Sequence, residues 1–144
     1  MKEQIEQVYI KWEVAGRQLL ALSFNRSGSL NRAGDGSEEH AAYFFMGRAD
    51  TPVFEAFMEQ VDESLFEMAG RYTLPEPKGE IARLTLAFSG PELDTGFEFT
   101  YGTHSAGPAQ EVVELLELAL NLTQQWWEGQ LHQRLSKQNK KKQT

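Results

Sequence analysis

The sequence predicts an α+β domain: an antiparallel sheet of about six strands in the order ββββαββα, with two amphipathic helices packed on one face. Three observations carry this. Several short segments alternate apolar and polar residues, the period of a strand with one face buried. Two longer stretches gather their apolar residues on one side of a 3.6-residue wheel. Strands come in runs rather than alternating singly with helices, which favours an antiparallel sheet over βαβ units.

Val8, Ile10, Trp12 and Val14 alternate with Tyr9, Lys11 and Glu13, predicting a first strand. Ala15-Gly16-Arg17 permits a turn into a second, marked by Leu20, Leu22 and Phe24. Asn25-Arg26-Ser27-Gly28 is a turn signal leading to a short third strand over 29–32. After the polar loop 34–39, the apolar run 41–46 predicts a fourth. Thr51-Pro52 reads as a helix start, and Val53, Phe54, Phe57, Met58, Val61, Leu65, Met68 and Ala69 fall within about 160° of a helical wheel. A helix over 52–69 ending at Gly70 follows, with a proline-containing loop over 71–79. Alternation over 82–88 and 97–101 predicts a hairpin. Gly107-Pro108 opens a long second helix, with Gln110 placed to cap its first turn and Trp126 and Trp127 on its apolar arc.

The chain has 144 residues, 40% hydrophobic and 11% aromatic, enough to build one core, so residues 1–135 are expected to form one domain. The basic stretch 136–144 is expected to fray. Cysteine is absent, which removes disulfides, thiol nucleophiles and thiolate metal sites. The first residues lack the apolar region of a secretion signal, and no apolar run approaches the roughly 18 residues that span a bilayer. A cytoplasmic setting without membrane contact is the expectation.

Net charge is −7, unevenly spread. Four of the 14 basic residues (Lys137, Lys140, Lys141 and Lys142) lie in 137–144, leaving 21 acidic side chains against 10 basic ones in the body, close to −11. Such a body repels phosphate backbones, so nucleic acid is not an expected partner; a basic protein is.

Catalytic and metal motifs are incomplete. The loop residues Asp35, Glu38, Glu39 and His40 offer ligand atoms, but read as a calcium loop from Asn31 they leave Ala33 and Ala42 at ligand positions. Thr103-His104-Ser105-Ala106-Gly107 half-matches a nucleophile elbow, with Thr103 where the first glycine belongs and no suitably placed base. Gly34-x-Gly36 lacks the third glycine of a dinucleotide loop. No catalytic residue, metal ligand or cofactor is therefore assigned.

Two surfaces remain. Glu55, Glu59, Glu63 and Glu67 recur at i, i+4 with Asp62 beside them and no lysine or arginine between Pro52 and Gly70. On a continuous wheel Phe66 falls among these acids, an aromatic anchor within a charged surface. Glu55, Glu59, Asp62, Glu63 and Phe66 are accordingly the predicted partner-binding residues of a non-enzymatic, acidic interaction domain. An inhibitor or immunity-type protein facing a basic partner is one form of it. Glu114, Glu117 and Glu128 extend the acidic surface onto the second helix. The alternative is a small-molecule or anion-binding domain centred on Thr103, His104 and Ser105, with Arg32 and Arg48 as possible contributors. A homodimer through strand edges or tryptophans is a third reading.

Overall fold

The computed structural model describes residues 1–143. A short 3-10 turn, Lys2–Gln4, leads into strands β1 (Gln7–Val14), β2 (Arg17–Asn25), β3 (Ser29–Ala33) and β4 (Phe44–Arg48). Helix α1 (Val53–Glu59) and a 3-10 turn, Glu63–Met68, follow. Then come β5 (Gly70–Thr73), β6 (Ile81–Gly90), β7 (Leu93–Gly102) and helix α2 (Gln110–Gln143). The strands form one seven-stranded sheet ordered β4-β3-β2-β1-β6-β7-β5. No helix among the described residues is long and apolar enough to cross a membrane.

The predicted α+β class holds, but the sheet is mixed rather than antiparallel. Gly70, expected to end a helix, and residues 71–73, expected to open a loop, form β5 and pair in parallel with β7 at the sheet edge. Tyr72 stacks on Phe99 with ring centroids 5.2 Å apart, and the Leu74 N–H continues the ladder to the Thr100 carbonyl at 2.9 Å. Pro75 and Pro77 fall in the connection after this strand; helical structure has already stopped at Met68, before β5 begins.

The alternation read in the sequence divides the sheet faces. Val8, Ile10, Leu22, Phe24, Leu84, Leu86, Phe88, Phe97 and Phe99 are buried beneath the helices. Their neighbours Tyr9, Arg83 and Asp94 on the other face are exposed, while Lys11, Thr85 and Glu98 are partly exposed. A sheet covered on one side requires this pattern. Phe57 of α1 packs edge-on to Phe24 at 5.1 Å and also lies near Phe88.

The predicted helix 52–69 is interrupted. The Gln60 and Val61 N–H groups bond back to the Phe57 and Met58 carbonyls, tightening the last turn of α1. Asp62 is then extended (φ −78°, ψ 133°), and its carboxylate accepts the Ser64 N–H, capping the next turn. An aspartate that bonds the backbone two residues on competes with helix continuation. The break resets the helical phase. Phe66, expected to be exposed among acids, is only 8% exposed and packs edge-on to Phe88 at 5.1 Å.

Helix α2 has 34 residues, roughly 50 Å at the α-helical rise. Val112, Leu115, Ala119, Thr123 and Trp127 are its buried positions, spaced three or four apart along the face on the sheet. Residues 136–143, expected as a frayed tail, continue this helix; Thr144 lies outside the described residues.

Arg32 on β3 is fully buried under α2. Its Nε donates to the Gly34 carbonyl, and its terminal nitrogens donate to Thr123 Oγ1 and Gln124 Oε1, all at 3.0 Å. The guanidinium also stands 5.0 Å from the Trp127 ring centroid. Burial pushes its pKa down to about 10, against the opposing charges of Asp35 and Glu128, so it remains cationic at neutral pH.

Phe66→Ala is expected to cost about 3–5 kcal/mol in urea unfolding, whereas an exposed Phe66 would leave stability within about 0.5 kcal/mol. Thr123→Val, which keeps the shape but deprives Arg32 of an acceptor, is expected to cost about 1.5–3 kcal/mol, largely restored in Thr123→Ser. Equal stability of the Val and Ser variants would refute that role for the hydroxyl.

Candidate functional site

A concavity follows from the break in the predicted helix. It lies where α1 and the 3-10 turn meet the N-terminal half of α2, with a volume of about 730 Å³. Ala56, Leu65, Met68, Leu115, Leu118 and Leu122 supply its apolar surface. Glu59 and Asp62 stand on one side, and Glu111 and Glu114 on the other. None of the described residues lining it is basic.

Of the rim acids, Asp62 is tied into a local hydrogen-bond network and the glutamates face solvent. The Ser64 N–H, and then the Ser64 hydroxyl, hydrogen-bond the Asp62 carboxylate and hold its pKa below the ordinary value. Glu59, Glu111 and Glu114 are exposed, and Gln110 donates to Glu114 at 3.4 Å. Gln110 thus begins α2 with its amide directed along the helix to Glu114. Aliphatic side chains below and carboxylates above form a surface suited to an amphipathic cation.

The structure redistributes the predicted partner-binding residues. Glu59 and Asp62 line the groove. Glu55 instead lies by the β2–β3 turn, bordering a small recess with Thr51 and Gly28. Glu63 forms an ion pair with the Met1 amino group at 2.7 Å. Phe66 lies in the core, so the aromatic anchor expected on the surface is not there. Leu118 and Glu111 were not singled out by the sequence, although with Glu114 and Leu122 they recur at three- and four-residue spacing along one flank of α2.

The 103–107 loop has a different local role. Thr103 Oγ1 accepts the Glu80 N–H at 3.0 Å. Ser105 Oγ accepts the Lys78 N–H at 3.3 Å and donates to the Gly102 carbonyl at 3.1 Å. The His104 N–H bonds the Lys78 carbonyl, while its side chain is exposed over Gly79. Both hydroxyls therefore fasten the β5–β6 connection to the end of β7. Arg32 is committed to α2, and Arg48 bonds the Ser27 carbonyl, so neither joins this loop.

The Asp35 loop is also internally bonded. Asp35 Oδ1 accepts the Ser37 N–H at 2.9 Å and the Ser37 hydroxyl at 2.6 Å; His40 Nδ1 faces Oδ2 at 2.8 Å. Glu38 turns away to pair with Arg17 at 2.6 Å. Among the described residues, no group of three His, Cys, Asp or Glu side chains is arranged to hold a metal ion. Burial would raise the Asp35 pKa, but the hydrogen bonds from Ser37 and His40 outweigh it and leave the carboxyl below its ordinary value of 3.8.

A depressed carboxyl pKa contributes stability above the unfolded value, and this is lost as pH falls through the folded one. Asp35→Asn is therefore expected to be less stable than the parent at neutral pH. The difference should shrink below pH 3.8, the ordinary value of the group. Urea unfolding across that range checks it; an undiminished difference at low pH would assign the loss to packing instead.

No protein-family model, curated protein or solved structure matches this chain.

Proposed function

We propose that the protein is a non-enzymatic interaction module that docks a basic, amphipathic segment of another protein in the groove between α1, the 3-10 turn and α2. The supporting observation is the pairing of an apolar surface formed by Leu65, Met68, Leu115, Leu118 and Leu122 with carboxylates on both sides and no basic lining residue among those described. Apolar side chains of a helix entering such a groove supply affinity, while its lysines or arginines meet the rim. The net charge of −7 adds long-range attraction and accelerates encounter. Met68, an unbranched thioether, allows the surface to adapt to differing apolar partners.

An inhibitor or immunity-type role is the form of this reading in which occupancy of a basic partner blocks that partner's own activity. Binding at the 103–107 loop is less favoured, because Thr103 and Ser105 already use their hydroxyls within the fold. The groove needs no catalytic group for docking, and the reading assigns none.

A fluorescein-labelled amphipathic helix with leucines on one face and lysines on the other provides a direct probe. Fluorescence polarisation is expected to show saturable binding that weakens about tenfold in Glu59→Lys, in Glu111→Lys or with added salt. Leu118→Asp should weaken it as well, whereas Glu55→Lys, outside the groove, should have little effect. Equal losses in Glu55→Lys and Glu59→Lys would reduce the interaction to general charge attraction and overturn the groove assignment.

A further inference from the structure

The opposite flank of α2 carries a second concavity that the docking surface does not use. It occupies about 490 Å³ between the helix and the ends of β1, β2, β6 and β7. Leu84 contributes to its base; Trp12, Tyr101, Val113, Leu116 and Leu120 form half-buried walls. Asp35 and Gly36 lie at one margin, where the loop after β3 approaches Trp12. A Cβ built on Gly36 would lie 3.7 Å from the Trp12 ring, and the φ of +94° at Gly36 independently favours glycine.

The chemistry of this cleft is asymmetric. Trp12 Nε1 donates to the Tyr101 hydroxyl at 2.9 Å, using that oxygen as an acceptor. No acceptor among the described residues takes the Tyr101 hydroxyl proton, so the phenol retains one donor. Indole and aliphatic side chains line the same cleft as this phenol, while the Asp35 carboxylate at its margin disfavours an anion. The volume falls within the range of small-molecule pockets, and such pockets combine a mainly apolar lining with a few orienting polar groups.

We propose that this cleft binds a small, neutral, predominantly apolar molecule bearing a carbonyl oxygen. Its body packs against Trp12, Val113, Leu116 and Leu120, and its oxygen accepts the free Tyr101 hydroxyl proton. This ligand class differs from the basic protein segment assigned to the groove and enters from the other side of α2. Binding requires no chemical transformation.

The neutral ketone 6-propionyl-2-(dimethylamino)naphthalene tests the assignment, with 2-(dimethylamino)naphthalene as its carbonyl-free comparator. Fluorescence titration is expected to show saturable, one-to-one binding of the ketone to the full chain. Tyr101→Phe should weaken the ketone about tenfold while changing the comparator by less than about twofold. Leu116→Trp should fill the cleft and abolish binding of both probes; Val113→Phe serves if the first variant does not fold, as judged by circular dichroism and urea unfolding. Leu118→Asp, in the groove, should leave both affinities unchanged. Absence of saturable ketone binding, equal losses of both probes in Tyr101→Phe, or retained binding in folded cleft-filling variants would each overturn the proposal. Loss of both probes on Leu118→Asp would also overturn it by moving the site to the groove.

Discussion

The contact between Arg32 and α2 sets the geometry on which both concavities depend. A buried guanidinium carries a large desolvation cost and is tolerated because several groups replace its water. Gly34, Thr123 and Gln124 supply oxygen acceptors, and the Trp127 ring lies alongside. None of these contacts is a direct carboxylate pair, so specificity comes from positioned dipoles and packing. They define which side of the long helix faces the sheet. With Val112, Leu115, Ala119, Thr123 and Trp127 turned inward, Glu111, Glu114, Leu118 and Leu122 fall on one flank. Val113, Leu116 and Leu120 fall on the other. A rotation of α2 about its own axis would disturb both concavities and withdraw Thr123 from Arg32 together.

The chain must turn sharply just after Arg32 for that contact to form. Gly34 has φ +78°, and an added Cβ would stand 2.3 Å from the Leu19 carbonyl oxygen, so a larger residue is doubly obstructed there. The turn delivers Asp35 to its Ser37 and His40 partners and places Gly36 beside Trp12. Sheet, loop and helix are thus coupled locally: the same few residues anchor α2 and shape the margin of the apolar cleft.

Most of the sheet is legible because side-chain alternation is a local consequence of strand geometry. Val8-Ile10-Trp12 and Leu84-Leu86-Phe88 announce an inward face without knowledge of their partners. β5 is harder to recognise: its four residues, Gly-Arg-Tyr-Thr, are all exposed and acquire strand geometry by pairing with β7. The helix interruption has a local signal in Asp62 and Ser64, but the apolar spacing from Val61 to Leu65 also fits an uninterrupted helix. That ambiguity displaced Phe66 to the wrong face. On α2, a broad apolar arc identifies a buried helix without distinguishing its sheet-facing stripe from its two flanks. The contact of Arg32 with Thr123 makes that distinction, and it joins residues far apart in sequence. Glu59 and Asp62 were accessible from charge pattern alone; Glu111 and Leu118 required the tertiary placement of α2.

The interruption also changes the meaning of the acidic sequence. In a continuous helix, Glu55, Glu59, Glu63 and Glu67 would repeat like charges at i, i+4, and each pair would be mildly destabilising. Asp62 instead begins a new turn between Glu59 and Glu63, so these residues no longer belong to one helical stripe. Glu63 meets the Met1 amino group, Glu55 borders the β2–β3 turn, and Glu59 remains at the groove. Phe66 simultaneously turns inward to Phe88 and contributes to the core. One local competition between an aspartate cap and helix propagation therefore buries an aromatic, separates clustered charge and leaves an acid beside an apolar groove. The apparent anchor becomes a source of stability, and the surface left between the helices is an aliphatic seam flanked by carboxylates.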